Sequence, residues 1–184
     1  MTSSASMAAN LRFWHWYPKL LTEDLTPEQL RWQPEDHDTS ILFAVWHTYR
    51  AADELGHGLA MGGRPSVYAS GGWDTRLTVA ETGRSPFGNG LNREQIGNLS
   101  LDVGELCSYA TAVGDSLIAY LESTPPETLA EEVDIAFFRG IYEGGVDRMS
   151  RLETILFFAV GHTAEHLGEV QMVRGLMGLK GAPL

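Results

Sequence analysis

The sequence predicts an all-α fold, a four-helix bundle with a long crossover connection between its second and third helices. Three observations predict it. Four segments repeat apolar residues at three- and four-residue spacing. Glycine and proline punctuation separates those segments. The one long interval, Gly62 to about Leu91, is glycine-rich and falls between the second and third. Two helices, a crossover and two more helices suit a bundle of this kind. A chain of 184 residues with 43% hydrophobic and 20% charged residues is expected to form one domain, 1–184, around its own core.

The first helix is expected from about Ala8 to Asp24, with Leu11, Trp14, Leu20 and Leu21 facing the core. Pro18 lies inside it and is expected to kink or restart it, because proline lacks the amide that closes a helical turn. A connector with Pro27 and Pro34 follows. The second helix opens at Asp38, Thr39 or Ser40, any of which can cap free amides, and stops at Gly62-Gly63. In the crossover, Trp73 and Phe87 are the expected anchors, and a loop of this length often serves as a lid over a site. The third helix is expected from Asn92 to Glu122, ended by Pro125-Pro126. Residues 127–148 are ambiguous, with Val133 to Phe138 readable as a short strand or an irregular apolar flap. Ser150-Arg151-Leu152-Glu153 is a capping-box pattern that starts the fourth helix, which runs to about Met177.

Composition excludes several function classes. The formal net charge is −11, and Arg12, Arg31, Arg50, Arg64, Arg76, Arg84 and Arg93 are scattered, with no basic stripe. Such a field repels nucleic acid and anionic membrane surfaces. The longest apolar runs, Ile41 to Trp46 and Ile155 to Val160, fall far short of the ~20 residues of a membrane span. The first ten residues lack a secretory signal pattern, and a single cysteine, Cys107, suits a reducing cytoplasm.

The chemistry is carried by histidines. His162 and His166 are spaced i, i+4, so they project from one helix face about 6 Å apart along the axis. At ~100° per residue, Ile155, Phe158, Glu169, Val173 and Leu176 share that direction, which places both imidazoles mid-way across an apolar stripe. Buried imidazoles need partners, and a shared metal ion supplies one to both rings. Ordinary hydrogen bonds are the competing explanation. His47 is the best third ligand: it lies mid-helix between Ala44 and Ala51, small neighbours that leave space, with Glu54 on the same side at i+7. Three neutral imidazoles with an open position make a Lewis-acid centre of the catalytic type. His162-Thr163-Ala164-Glu165-His166 also reads as H-x-x-E-H, but Glu165 points ~60° off the His162 direction and little chain follows to supply a further carboxylate. Glu54 and His57 match half of a di-iron pattern whose second copy is missing. His15 and His37 read as structural, and Cys107 as an inert apolar residue.

The segments LTPEQLRWQP, SILFAVWHTYRAADE, the crossover containing GGW, and GHTAEHLGEVQMVRG together resemble the DinB-like (DinB/YfiT) metalloenzyme superfamily over roughly residues 20–178. The most specific part is Trp46-His47 in the second helix combined with His162, His166, Gly168 and Glu169 in the fourth. The resemblance implies a bundle with a three-histidine divalent metal site, His47, His162 and His166 taking the ligand positions, frequently in a homodimer. It also implies thiol-dependent S-transferase or isomerase chemistry, as in mycothiol-dependent maleylpyruvate isomerases. The expected cofactors are therefore a divalent ion (zinc, nickel or iron) and a low-molecular-weight thiol, with a small electrophile as substrate. Glu169 and Glu54 are candidates for orienting a ligand imidazole or moving a proton. The alternatives are a hydrolase using metal-activated water and a non-enzymatic metal-binding stress protein, its ion closed off by a fourth ligand such as Glu169 or His57.

Overall fold

The structure is a computed structural model and describes residues 3–80, 82–138 and 146–181. It is mostly helical; among the described residues, strand is confined to two three-residue segments. In chain order the elements are α1 (Ser3–Thr22), α2 (Pro27–Arg31), α3 (Ile41–Leu55), α4 (Val67–Ser70), α5 (Trp73–Arg76), α6 (Arg93–Gly97), α7 (Val103–Ser123), α8 (Pro126–Leu129), β1 (Glu132–Asp134), β2 (Arg148–Ser150), α9 (Arg151–Ile155) and α10 (His162–Leu176). Helix α3 continues through a π-helical turn, Gly56–Ala60, and a second such turn, Leu156–Gly161, joins α9 to α10. Helix α1 packs chiefly on α7 and α10 on α3, with α3 also against α7 and α1 against α10.

Local chemistry explains most boundaries. Ser40 caps α3 by accepting from the Phe43 amide, Ser150 and Glu153 form the expected capping box on α9, and Gly62 and Gly63, both with positive φ, end the helical path after Ala60. The first connector holds a helix of its own: Thr26 and Gln29 make a reciprocal cap with Pro27 at the first position of α2. Two expectations need correcting. The helix expected from Asn92 is split into α6 and α7. Asn92 and Gln95 cap the first piece and Asp102 caps the second, so a new start at Val103 is more favourable than bridging Asn98–Asp102. Pro18 does not restart α1, which is continuous from Ser3 to Thr22. The acceptor that a residue-18 amide would have used, the Trp14 carbonyl, takes the Tyr49 hydroxyl at 2.6 Å instead.

The main core contains Leu11, Leu21, Ile41, Val45, Trp46, Tyr49, Leu106, Val113, Leu117, Ile155, Leu167 and Val170. Helix α3 is buried on nearly every side. The crossover is largely structured: Trp73 is buried on Tyr109, ring centroids 5.5 Å apart, and α4 is tied to α3 by the fully buried Asp53, whose carboxylate accepts from the Val67 and Tyr68 amides at 2.8 Å each. In the ambiguous insert, β1 pairs antiparallel with β2, Val133 opposite Met149, and a short 3-10 turn covers Ala136–Phe138. Residues 139–145 of this insert lie outside the described residues.

Candidate metal centre

Three imidazoles converge where α3 meets α10. His47, His162 and His166 each offer one ring nitrogen, and these atoms lie within 4.8 Å of one another. Ring centroids are 5.2 Å apart for His47–His162, 4.8 Å for His47–His166 and 4.4 Å for His162–His166. His47 is buried and the other two are half-buried.

The tautomers follow from the partners. His47 Nδ1 lies 2.6 Å from the Phe87 carbonyl; a carbonyl only accepts, so Nδ1 carries the proton and Nε2 the free lone pair. His166 Nδ1 lies 2.6 Å from Glu169 Oε2 and donates to it, again freeing Nε2. Its Nε2 is 3.0 Å from His162 Nε2, while His162 Nδ1 is buried with no hydrogen-bond partner among the described residues. Without an ion, every neutral form of His162 leaves a conflict. Either a lone pair is buried unpaired, or two Nε2 lone pairs oppose each other. A cation shared by those lone pairs removes the opposition. Nδ1 bonded to a carbonyl or carboxylate with Nε2 free is also the arrangement that orients histidine ligands around metals. The residues present fit a divalent ion.

The electrostatics agree. Burial, then the neighbouring His166, lowers the His47 pKa to about 4. Burial, followed by His166 and His47, lowers that of His162 to about 3. Both rings are therefore neutral ligands at physiological pH. The hydrogen bond from His166 is the largest influence holding Glu169 below the usual carboxylate range, so it accepts as an anion.

The expected position of the two α10 histidines within their helix needs correction. They lie at the edge of the buried face, which is formed by Thr163, Leu167, Val170, Val173 and Arg174, while Leu176 is 57% exposed. Upstream, Ile155, Phe158 and Ala159 are buried as the periodicity predicts. The π-helical turn Leu156–Gly161 absorbs one extra residue between the two stretches and rotates the downstream face by ~100°. At that edge both imidazoles meet His47, and His166 also lines an open cleft.

The cleft has a volume of about 380 Å³. His37, Asp38, Phe43, His47, His166 and Glu169 line it together with the Gly88–Leu91 backbone and Met172. Phe87 acts as expected of an anchor, and its carbonyl makes it more than one. Gly88 follows with φ +95°; a Cβ there would lie 2.5 Å from Trp46 and 3.0 Å from Phe43. Only glycine lets the loop approach α3 closely enough for the Phe87 carbonyl to reach His47. The space expected beside Ala51 is filled by an apolar cluster with Leu55 and Phe158, against which Leu59 and Phe87 pack.

Other candidates fall elsewhere. Glu54 bonds Arg50 at 2.8 Å. His57 belongs to a separate buried network: Nδ1 is 2.8 Å from Asp53 and Nε2 is 2.8 Å from Ser116. Glu165 is exposed and outside the histidine cluster. Burial pushes the Cys107 thiol up, which suits an inert residue. The sequence reading overlooked the Phe87 carbonyl and the place of His37 in the cleft; the only local signal was the glycine after Phe87.

A helical chain whose three histidines are positioned to hold one metal ion defines the class of protein. The family model of the DinB superfamily matches residues 14–170, and the chain belongs to that superfamily. A crystal structure described as the conserved protein of locus from Enterococcus faecalis has the same fold, with a TM-score of 0.71 at 19% identity, over 95% of this chain and 99% of that one. No curated protein matches by sequence.

Proposed function

We propose that this protein is a metal-dependent enzyme of the DinB type, acting as a thiol-dependent S-transferase or isomerase on a small electrophile. The observation that carries the reading is the set of three imidazole nitrogens within 4.8 Å, with two of the three rings, His47 and His166, lining an open cleft. His47, His162 and His166 hold the ion, zinc, nickel or iron; when bound, it supplies Lewis acidity that favours the anionic form of a thiol or water. Glu169 orients His166, the Phe87 carbonyl orients His47, and the apolar side of the cleft, Phe43 and Met172, receives the electrophile. The thiol preference rests on the sequence resemblance to family members with such activities. Glu54 lies with Arg50, so its part in this reading is to hold α3. The chain is read as one domain, 1–184, in which α1, α3, α7 and α10 make a four-helix bundle crossed over between α3 and α7, working as a cytoplasmic homodimer.

Elemental analysis of freshly purified protein, with His47→Ala and His166→Ala in parallel, tests the ligands. About one equivalent of metal is expected in the wild type and little in either variant. Full occupancy in both variants overturns the assignment. Turnover of a general electrophile with and without thiols then separates transferase from hydrolase, since metal-activated water needs no thiol.

A further inference from the structure

The cleft has a second polar wall that the three-histidine site does not explain. His37 and Asp38 come from the connector between α2 and α3, a stretch without regular structure, yet they are held firmly. The Arg93 guanidinium donates to the carbonyls of Gln33 at 3.2 Å, Pro34 at 2.6 Å, Glu35 at 3.4 Å and His37 at 2.8 Å. The Gln33 side-chain amide spans the Arg93 and Asp38 carbonyls at 3.0 and 3.3 Å, and the His37 amide donates back to Pro34. An arginine fork spent wholly on backbone carbonyls fixes the place of this turn on the cleft rim.

A thiol or water that ionises inside the cleft gives its proton to a group there or to solvent entering from the open side. Among the described lining residues the titratable side chains are His37, Asp38, His47, His166 and Glu169. His47 donates its Nδ1–H to the Phe87 carbonyl and turns Nε2 to the cluster. His166 is committed in the same way between Glu169 and His162, and Glu169 already accepts from His166. Asp38 offers only carboxylate oxygens, whereas the His37 imidazole carries both a ring lone pair that can accept a proton and a ring N–H that can release one. Arg93, the cation behind the turn, is occupied by carbonyls. His37 is exposed to solvent, lies outside the metal-ligating group, and lines the same cleft as His166 and Glu169.

We infer that His37 is the proton-transfer residue of this cleft, taking the proton from a thiol bound beside the three histidines and passing it to bulk solvent. The inference rests on the proposed thiol chemistry. The S–H bond breaks, the electron pair stays on sulfur as thiolate, and the proton moves to a His37 ring nitrogen and then to buffer; nothing is oxidised or reduced. Arg93 positions the backbone of the turn that carries it.

The test uses protein loaded with cobalt(II) and mixed with 2-mercaptoethanol in a stopped-flow instrument, at low buffer concentration across pH 6–8. The sulfur-to-cobalt charge-transfer band reports thiolate at the site. His37→Gln is expected to keep the wild-type cobalt content and final band intensity but to form the band at least ~tenfold more slowly. Free imidazole in solution is expected to restore the rate. A wild-type rate in His37→Gln, or a slow rate that imidazole does not restore, overturns the role of His37 while leaving the metal site standing. Absence of cobalt or of the band in the wild type itself brings down the thiol reading, and this inference with it.

Discussion

At the scale of single residues, the centre depends on which ring nitrogens are free, and that is set by two acceptors. Glu169 fixes His166 by one hydrogen bond of 2.6 Å. Glu169→Ala is expected to weaken metal affinity about 10–100-fold without removing the site, as measured by chelator competition. His15 makes a different prediction. It is fully buried between α1 and α7, with Nδ1 2.9 Å from the Ala110 carbonyl, and burial lowers its pKa to about 4. Between the unfolded value of 6.5 and about 4, the unfolded chain binds a proton that the folded one refuses. Stability from this group is therefore complete above pH 6.5 and is lost as pH falls through the folded pKa, by an amount on the order of 3 kcal/mol. His47 and His162 act in the same direction in metal-free protein. Denaturant titrations of the metal-free chain between pH 7.5 and 4.5 should show this loss, with a shallower pH slope in His15→Gln.

At the scale of elements, irregularities do more to build the site than the regular helices. Pro18 is accommodated in α1 because the Tyr49 hydroxyl reaches the carbonyl that the missing amide leaves free. Tyr49→Phe keeps the buried ring but strands that carbonyl, and is expected to cost about 1–3 kcal/mol by chemical denaturation. Gly88 presses the crossover onto α3. Gly88→Ala combines an unfavourable φ with a Cβ overlap on Trp46, so the loop must lift and the Phe87–His47 bond must lengthen or break. Weaker metal binding with α-helical circular dichroism unchanged is the expected outcome. The π-helical turn before His162 acts by phase, turning the two histidines from a buried face to its edge. Periodicity read along the sequence could not register this, because a single-turn change of helix type leaves the apolar spacing on either side intact.

At the scale of the whole molecule, the ion would join elements far apart in the chain: His47 lies on α3, His162 and His166 on α10. Binding to the folded state alone stabilises by about 2.7 kcal/mol at one hundred times the dissociation constant, which for a chain of this size raises Tm by about 5–10 °C. Thermal melts with and without added metal should show that shift in the wild type and lose it in His166→Ala. Asp53 works at the same scale by tying the start of the crossover to α3, with the Tyr109 hydroxyl 2.6 Å from its carboxylate.

The sequence by itself determined the helical class, the starts of α3, α6 and α9, and which three histidines carry the metal hypothesis, because caps and apolar spacing are local properties and a His pair at i, i+4 shares a face wherever its helix goes. It also determined the acidic field that disfavours nucleic acid. Tertiary structure alone decided that Phe87 orients His47 across forty positions of chain and that His37 stands on the cleft rim beneath the Arg93 clamp. These are contacts between segments with no periodic relation, made by backbone carbonyls that no residue type announces, and they exist only once the crossover has closed onto α3.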